Sequence, residues 1–459
     1  MTSVPLTNMQ TRDVESVLHP YTPLHLLREN GPLIIERGKG VHVFDARGQA
    51  YIEGMSGLWC AGLGYGDEEM IEAATEQMRT LSYSHLFGGK GMEPAIELAE
   101  KLKEIAPVPM SKVFFTSSGS EANDTQVKLA WYMNNALGRP EKKKIISRQK
   151  AYHGVTVMSA SLTGLPYNHK GWDLPVDRVL HTDCPHFYRF GEAGESEEEF
   201  VARIVKNLED LIEREGGHTI AAMIAEPVMG AGGVIVPPKG YYPAIKAVLD
   251  AHDIILIDDE VINGFGRTGN WWGCQTLDMV PTTISAAKQL TAAYAPLGAV
   301  LVPEHIYQAY EDHSRAIGTF GHGYTYGGHP LGCALGVKAI EIYQRRDILG
   351  HVRTLIPAFE ARMAKLEAHP LVGEARRCGL VGGVELVADK AKRTPFDPSL
   401  GAGAKVVKAL EGHGAILRAI GDTVAICPPM IISVEQLNEL FDKLELALED
   451  GVRMLKPAG

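Results

Sequence analysis

The chain has 459 residues, and 56 acidic against 45 basic side chains give it a formal net charge of −11. This acidic balance argues against a nucleic-acid-binding protein, because phosphate backbones bind to basic surfaces. Hydrophobic residues make up 45% of the chain and no apolar run is long enough to cross a membrane, so we expect a soluble globular protein of two or three lobes.

Three parts follow one another along the chain. Residues 1–66 contain an alternating segment, 34–54, that predicts a small antiparallel meander. Residues 67–330 alternate helices with short apolar strands, which predicts a large α/β domain with a mostly parallel central sheet. Residues 331–459 are predicted to form a small α+β domain together with the N-terminal segment. Ligands of parallel sheets bind at the carboxyl ends of the strands, and the motifs below occur there.

The first motif is FFTSSGSEANDT, residues 114–125. A strand ends in a Ser-Gly-Ser turn, and a helix then begins, so the backbone N–H groups near Gly119 and Ser120 could bind a phosphate. An ordinary serine N-cap explains the same residues equally well.

Two further motifs follow predicted strands. AYHG (151–154) places Tyr152 where its ring could stack on a flat ligand, although a half-buried core tyrosine would fit the same pattern. AEPV (225–228) ends the next apolar strand with Glu226.

The fourth motif, IILIDDEV (254–261), ends a buried strand in three acids. Side chains alternate along a strand, so Asp258 and Glu260 should face one way and Asp259 the other, which makes a joint metal site improbable. Either all three acids lie in a turn, solvated or capping the backbone, or Asp259 pairs with a buried cation such as a protonated ring nitrogen.

The fifth motif, TTISAAKQLTAAYAPLGAV (282–300), contains Lys288 as its single charged residue. Burial lowers the pKa of a lysine amine and makes the amine available for a Schiff base. An exposed loop lysine is the alternative for this residue taken alone.

Together these motifs resemble those of the class III aminotransferases. The shared motifs are SGSEAND, YHG, AEPV, DDEVINGFGRTG, the lysine of AAKQLTAAYAPLGAV, and GYTYGGHP. The resemblance runs from about residue 20 to the end of the chain. It implies a fold-type I transferase that uses pyridoxal 5'-phosphate.

The resemblance also implies individual roles. Lys288 would bind the cofactor covalently and move the proton during catalysis. The other implied cofactor contacts are Asp259 at the ring nitrogen, Val261 on the ring face opposite Tyr152, Gly119 and Ser120 at the phosphate, Glu226 beside the cofactor, and Thr325 at the phosphate in the other subunit. The contact of Thr325 implies a homodimer, and a tetramer stays open. His322 and His329 lack partnering acids or cysteines, so we expect no metal site.

Within the family, the pocket motifs resemble those of the ω-transaminases, or amine:pyruvate transaminases. The implied substrate contacts are Leu58, Trp59, Phe87, Tyr152, Ala231 and Arg418. Trp59, Phe87 and Tyr152 would form an aromatic box, and the guanidinium of Arg418 would bind the carboxylate of a keto acid. Core packing of Trp59 and a surface ion pair of Arg418 are the structural alternatives.

The implied function is a ping-pong transfer of an amino group from a primary amine or ω-amino acid to a keto acid, with pyruvate as the expected acceptor. A decarboxylase of dialkylated amino acids or an aminomutase would share Lys288, Asp259 and the phosphate site. A non-catalytic scaffold is a more remote alternative. The sequence leaves the donor open. Six scattered cysteines without CxxC spacing predict reduced thiols in the cytoplasm.

Overall fold

The short apolar runs of the sequence form strands in the computed structural model, which describes residues 5–455. The strands are, in chain order, Ile35–Lys39 (β1), His42–Asp45 (β2), Ala50–Glu53 (β3), Lys112–Thr116 (β4), Lys144–Arg148 (β5), Val179–Thr182 (β6), Ile220–Ala225 (β7), Ile255–Asp259 (β8), Thr283–Ala286 (β9), Gly298–Val302 (β10), Val372–Cys378 (β11), Val381–Leu386 (β12), Ala415–Ile416 (β13), Arg418–Ile420 (β14) and Thr423–Ile426 (β15).

The helices lie between and around these strands. They are Asn8–Ser16 (α1), Leu24–Asn30 (α2), Ser56–Trp59 (α3), Glu68–Thr80 (α4), Glu93–Ile105 (α5), Gly119–Ala136 (α6), Val157–Leu162 (α7), Phe187–Phe190 (α8), Glu197–Glu215 (α9), Tyr241–Ala251 (α10), Gly273–Thr276 (α11), Glu304–Ile317 (α12), Pro330–Arg345 (α13), Ile348–Leu366 (α14), Ala402–Gly412 (α15) and Val434–Leu455 (α16). Among residues 5–455, no helix is long and apolar enough to cross a membrane.

Local sequence explains how the longer helices begin. Ser196 caps α9 by accepting a hydrogen bond from the Glu199 amide, and the Glu199 side chain accepts one from the Ser196 amide in return. Acids in the first turn of α9 also interact favourably with the helix dipole. Buried residues at helical spacing, including Phe200, Ile204 and Leu208, then pack this helix into the core.

The large sheet has the strand order β4-β10-β9-β8-β7-β5-β6. All neighbouring pairs are parallel except those of β10, which is antiparallel to β4 and to β9. The predicted α/β class with a mostly parallel sheet is confirmed. The antiparallel strand β10 begins within the segment 282–300, for which the sequence analysis predicted a sequestered Lys288 but no antiparallel strand.

Two smaller sheets complete the fold. β13 pairs in parallel with β3, with Ala415 opposite Ile52, so segments near the two ends of the chain share one sheet. β11, β12, β15 and β14 form an antiparallel sheet in which Arg418 lies opposite Ala425.

A buried ionic cluster around Arg376 connects this antiparallel sheet to the large domain. The Arg376 guanidinium contacts Glu374 Oε2 at 2.7 Å and the Glu385 carboxylate, and its Nε donates to the Gly233 carbonyl at 2.8 Å. His186 Nε2 lies 2.8 Å from the same Glu374 oxygen. The Arg376 side chain is only 7% exposed, so its charge compensates two carboxylates that have little contact with water.

Arg376→Met should therefore destabilise the protein by about 3 kcal/mol, because it removes the arginine from Glu374 and leaves the buried Glu385 with Arg189 as its remaining arginine partner. Urea unfolding of the purified protein, monitored by circular dichroism, measures this loss. Arg377→Met is the matched control on the same strand: its ion pair with Glu367 is partly exposed, and its loss should cost less than about 1 kcal/mol. Equal losses in the two variants would contradict the assigned role of the cluster.

Candidate active site

A cavity of about 760 Å³ opens at the carboxyl ends of the parallel strands. All of the predicted site residues except Phe87 and Thr325 line it. They are Leu58, Trp59, Gly119, Ser120, Tyr152, Glu226, Ala231, Asp259, Val261, Lys288 and Arg418. The topology thus brings residues from distant parts of the chain to one edge of the sheet.

Asp259 ends β8 and faces the cavity from a buried position. Its Oδ2 accepts a hydrogen bond from Asn123 Nδ2 at 2.7 Å and lies 2.7 Å from His153 Nδ1. Its Oδ1 accepts a hydrogen bond from the Val261 amide at 3.1 Å. The carboxylate is therefore fixed in orientation and can face a cationic ligand atom. Asn123 and His153 lie within the quoted motifs, but no pattern in those motifs predicts their contact with Asp259.

Asp258 and Glu260 lie on the other side of the strand, as the alternation predicts, and both are fully buried. Glu260 accepts hydrogen bonds from the amides of Gly273 and Cys274 at 2.9 and 2.7 Å. Burial, together with the neighbouring Glu260 carboxylate, raises the pKa of Asp258 well above its usual range. Burial also raises the pKa of Glu260 to about 7. The acids are therefore not solvated, whereas the capping of backbone amides that the sequence left open is confirmed for Glu260.

Lys288 follows β9 at the start of a 3₁₀ turn and has a left-handed backbone, with φ at 50°. Its side chain lines the cavity, and burial lowers the pKa of the amine. Asp259 and Glu226 are near enough to oppose this shift without cancelling it. A lower pKa favours the neutral amine, which is the form that acts as a nucleophile and a base.

The start of α6 forms a cradle suited to phosphate. Ser118 caps the helix by accepting a hydrogen bond from the Glu121 amide at 3.2 Å, and Gly119 and Ser120 line the cavity. A Cβ atom on Gly119 would lie 2.9 Å from a methyl group of Val261, so a larger residue would close this approach. Helix N-termini with free N–H groups bind anions, and this donor set fits the phosphate of pyridoxal phosphate.

Glu226 connects two walls of the cavity. Its Oε1 accepts a hydrogen bond from the Tyr152 amide at 2.9 Å, and its Oε2 accepts one from the Gly230 amide at 3.1 Å. Burial raises the pKa of Glu226 to about 7. Because Gly230 precedes Ala231, the Glu226 carboxylate positions both the backbone of Tyr152 and the loop that carries Ala231.

The outer part of the cavity contains three tyrosines and one arginine. Tyr21, Tyr152, Tyr167 and Arg418 all line it. The Tyr21 hydroxyl accepts a hydrogen bond from Asn168 Nδ2 at 2.6 Å. Tyr21 and Tyr167 carried no signal in the sequence, because neither belongs to a recognisable motif.

Phe87 and Thr325 lie outside the cavity of their own chain. Phe87 is 50% exposed, and the Thr325 backbone carbonyl accepts a hydrogen bond from the Tyr83 hydroxyl at 2.9 Å. The predicted aromatic box therefore does not include Phe87 within one chain. In its place, Tyr21 and Tyr167 join Trp59 and Tyr152 around the cavity.

Comparisons with known proteins agree with this geometry. Residues 27–448 match the family model of aminotransferase class III. The chain is similar to gamma aminobutyrate transaminase 3, chloroplastic, of Solanum lycopersicum, with 46% identity over 95% of this chain and 84% of that protein. It is also similar to the solved omega transaminase of Pseudomonas jessenii in complex with PMP, with 48% identity, a TM-score of 0.96, and coverage of 99% of this chain and 100% of that chain. A PMP-bound aminotransferase from Vibrio fluvialis gives 42% identity, a TM-score of 0.96 and the same two coverages.

Asp259→Asn should weaken the binding of pyridoxal phosphate by about 10- to 100-fold, the usual worth of a hydrogen bond to a charged group. Titration of the apo-protein with the cofactor, followed by absorbance, measures the change. Asp258→Asn is the matched control, since it lies on the same strand with its side chain on the other face. The cofactor affinity of Asp258→Asn should equal that of the wild type. If both variants bound the cofactor equally weakly, the role assigned to Asp259 would be contradicted.

Proposed function

The chain belongs to the class III aminotransferase family, and from this premise we propose that it transfers the amino group of a primary amine or ω-amino acid to pyruvate. As a member of the family it is a pyridoxal-phosphate-dependent aminotransferase, and it acts on small-molecule amine and keto-acid substrates. The proposal concerns the identity of the two substrates and the residues that bind them.

The observation that carries the proposal is the placement of Lys288 and Asp259 in one cavity with the start of α6. Lys288 would hold the cofactor covalently, Asp259 would bind the ring nitrogen, and Gly119 and Ser120 would bind the phosphate. Val261 and Tyr152 would contact the two ring faces. When bound, pyridoxal phosphate supplies an electron sink for the carbon that bears the amino group.

The protein's own residues then perform the proton transfers. The lowered pKa of Lys288 favours a neutral Nζ, which can take the proton from the carbon that bears the donor's amino group and can later give a proton back. Asp259 keeps its negative charge towards the ring, because Asn123 and His153 hold its carboxylate in place. Buried walls around Lys288 limit the access of bulk water to the reacting atoms.

The cavity also suits the two kinds of substrate. Leu58, Trp59 and Ala231 offer apolar surface to the donor, while Arg418 offers a guanidinium to the carboxylate of the acceptor. The carboxylate of an ω-amino acid would bind to the same Arg418 guanidinium. The relatives named as gamma-aminobutyrate transaminases support a donor of that class, and those named as omega transaminases support uncharged amines.

We also propose a homodimer, in which Thr325 contacts the cofactor phosphate bound by the second subunit. Support comes from the position of Thr325 and Phe87 outside the cavity of their own chain. The cytoplasmic location stays a prediction, based on six cysteines that are all unpaired in the described chain.

The proposed function is tested by the visible spectrum of the purified protein during successive additions of a donor and pyruvate. 1-Phenylethylamine, or 4-aminobutyrate as the charged alternative, should bleach the cofactor band, and pyruvate should restore it. A band that neither donor changes, or release of carbon dioxide in place of ketone, would contradict the aminotransferase proposal.

Arg418→Met should raise the KM for pyruvate by about 10- to 100-fold while the reaction with 1-phenylethylamine continues, because only the acceptor needs the guanidinium. Steady-state kinetics with each substrate varied in turn measure this difference. Arg315→Met, at an exposed position of α12, is the control and should leave both KM values unchanged. A pyruvate KM that is insensitive to Arg418→Met would contradict the role of this arginine.

A further inference from the structure

One wall of the cavity has an unusual backbone. Residues 55–60, called the wall segment here, include Leu58, Trp59 and Cys60, which line the cavity. Three of its residues have left-handed φ angles: Ser56 at 49°, Gly57 at 66° and Trp59 at 66°. Such angles are strained for residues with a Cβ atom and persist only where the surrounding structure holds them.

The side chain of Glu53 holds the wall segment. Glu53 ends β3 and is 4% exposed. Its Oε1 accepts a hydrogen bond from the Met55 amide at 3.3 Å, and its Oε2 accepts one from the Gly57 amide. Within residues 5–455 neither amide donates to a backbone carbonyl. One carboxylate is thus the acceptor for both free amides at the start of the strained turn.

The groups around Glu53 provide no competing cation. The Tyr65 hydroxyl lies 3.5 Å from Glu53 Oε2, and the Cys60 and Cys427 thiols are the other titratable groups nearby. Arg267 reaches the segment only through the Ser56 hydroxyl, at 3.2 Å. No lysine, arginine or histidine among residues 5–455 forms an ion pair with Glu53. The Glu53 carboxylate therefore accepts the two amide hydrogen bonds without competition from an ion pair.

We propose that Glu53 is a positioning residue for substrate specificity, whose ionised carboxylate holds the wall segment in the shape that presents Leu58 and Trp59 to the amine donor. The inference rests on the proposed function, because the wall segment binds a donor only if the cavity is an amine site. Glu53 itself touches neither substrate nor cofactor.

Ionisation of Glu53 has two opposed effects on the wall segment. Burial raises the pKa of Glu53 to about 7. Above that pH both oxygens are acceptors, while below it one oxygen carries a proton and accepts poorly. Burial raises the pKa of Glu53 while the two amide hydrogen bonds lower it. Ionisation therefore strengthens the amide hydrogen bonds but also favours exposure of the carboxylate to water.

The matched control is Asp45, a second buried carboxylate in the same small sheet. It ends β2, accepts hydrogen bonds from the amides of Arg47 and Gln49 at 2.9 Å each, and accepts one from the Tyr51 hydroxyl at 3.1 Å. It therefore holds a turn in the same manner as Glu53 does, but that turn does not line the cavity.

The test compares Glu53→Gln with Asp45→Asn in the holoenzyme. Glu53→Gln should raise the KM for 1-phenylethylamine about tenfold at pH 8, the usual effect of losing a charge-assisted hydrogen bond, with little change in kcat. Asp45→Asn should keep the wild-type KM.

Hydrogen exchange provides a readout that needs no activity. Exchange in the peptide that spans residues 54–60 should be about tenfold faster in Glu53→Gln at pH 8, while Asp45→Asn should accelerate only residues 46–49. If Glu53→Gln fails to fold, the wild type still tests the proposal. Its amides at 55 and 57, which donate to no backbone carbonyl, should still be protected relative to their intrinsic exchange rates.

Wild-type KM and wild-type exchange in Glu53→Gln would overturn the inference, as would exchange of the wild-type amides at 55 and 57 at their intrinsic rates. A wild-type protein that does not react with the amine would overturn the proposed function instead. In that case the exchange measurement still decides whether Glu53 holds the wall segment.

Discussion

The site depends on keeping one lysine amine and two carboxylates together with little access to bulk water. Burial lowers the pKa of Lys288, and Asp259 and Glu226 are the carboxylates near enough to oppose this shift. Asn123, His153 and the Val261 amide fix the orientation of the Asp259 carboxylate and leave it able to accept a further hydrogen bond from a ligand. The fold therefore separates the two functions: the Asp259 carboxylate has a fixed orientation, and burial favours the neutral, reactive form of the Lys288 amine.

The parallel sheet and the segments around it contribute differently. Residues that would hold the cofactor follow strands of the large sheet, whose hydrogen-bonded register fixes their spacing. Residues that would contact the substrate lie on the wall segment, on the loop that carries Ala231 and on β14. Buried charged side chains hold these outer segments in place. Glu53 accepts hydrogen bonds from the wall segment. Arg376 donates to Gly233, near Ala231, and to Thr423 on β15, the strand beside β14. Specificity can thus vary while the chemistry is retained.

Sequence reasoning succeeded where local pattern determines structure. The period of two along β8 separated Asp259 from Asp258, and a glycine turn before α6 predicted the phosphate cradle. It could not show that Asn123 and His153 contact Asp259, because those residues lie 136 and 106 positions away. The direction of β10 was equally inaccessible, since a continuous apolar strand such as GAVLV reads the same in parallel and antiparallel pairing. Tyr21 reaches the cavity from a segment without any motif.

The most direct test of the account is to identify the lysine that binds the cofactor. The purified protein is reduced with borohydride, digested, and analysed by peptide mass spectrometry. The account predicts one pyridoxyl group, attached to Lys288 and absent from every other lysine, because Lys288 is the lysine that lines the cavity with Asp259. A modified lysine elsewhere, or an unmodified Lys288 in a protein that binds pyridoxal phosphate, would contradict it.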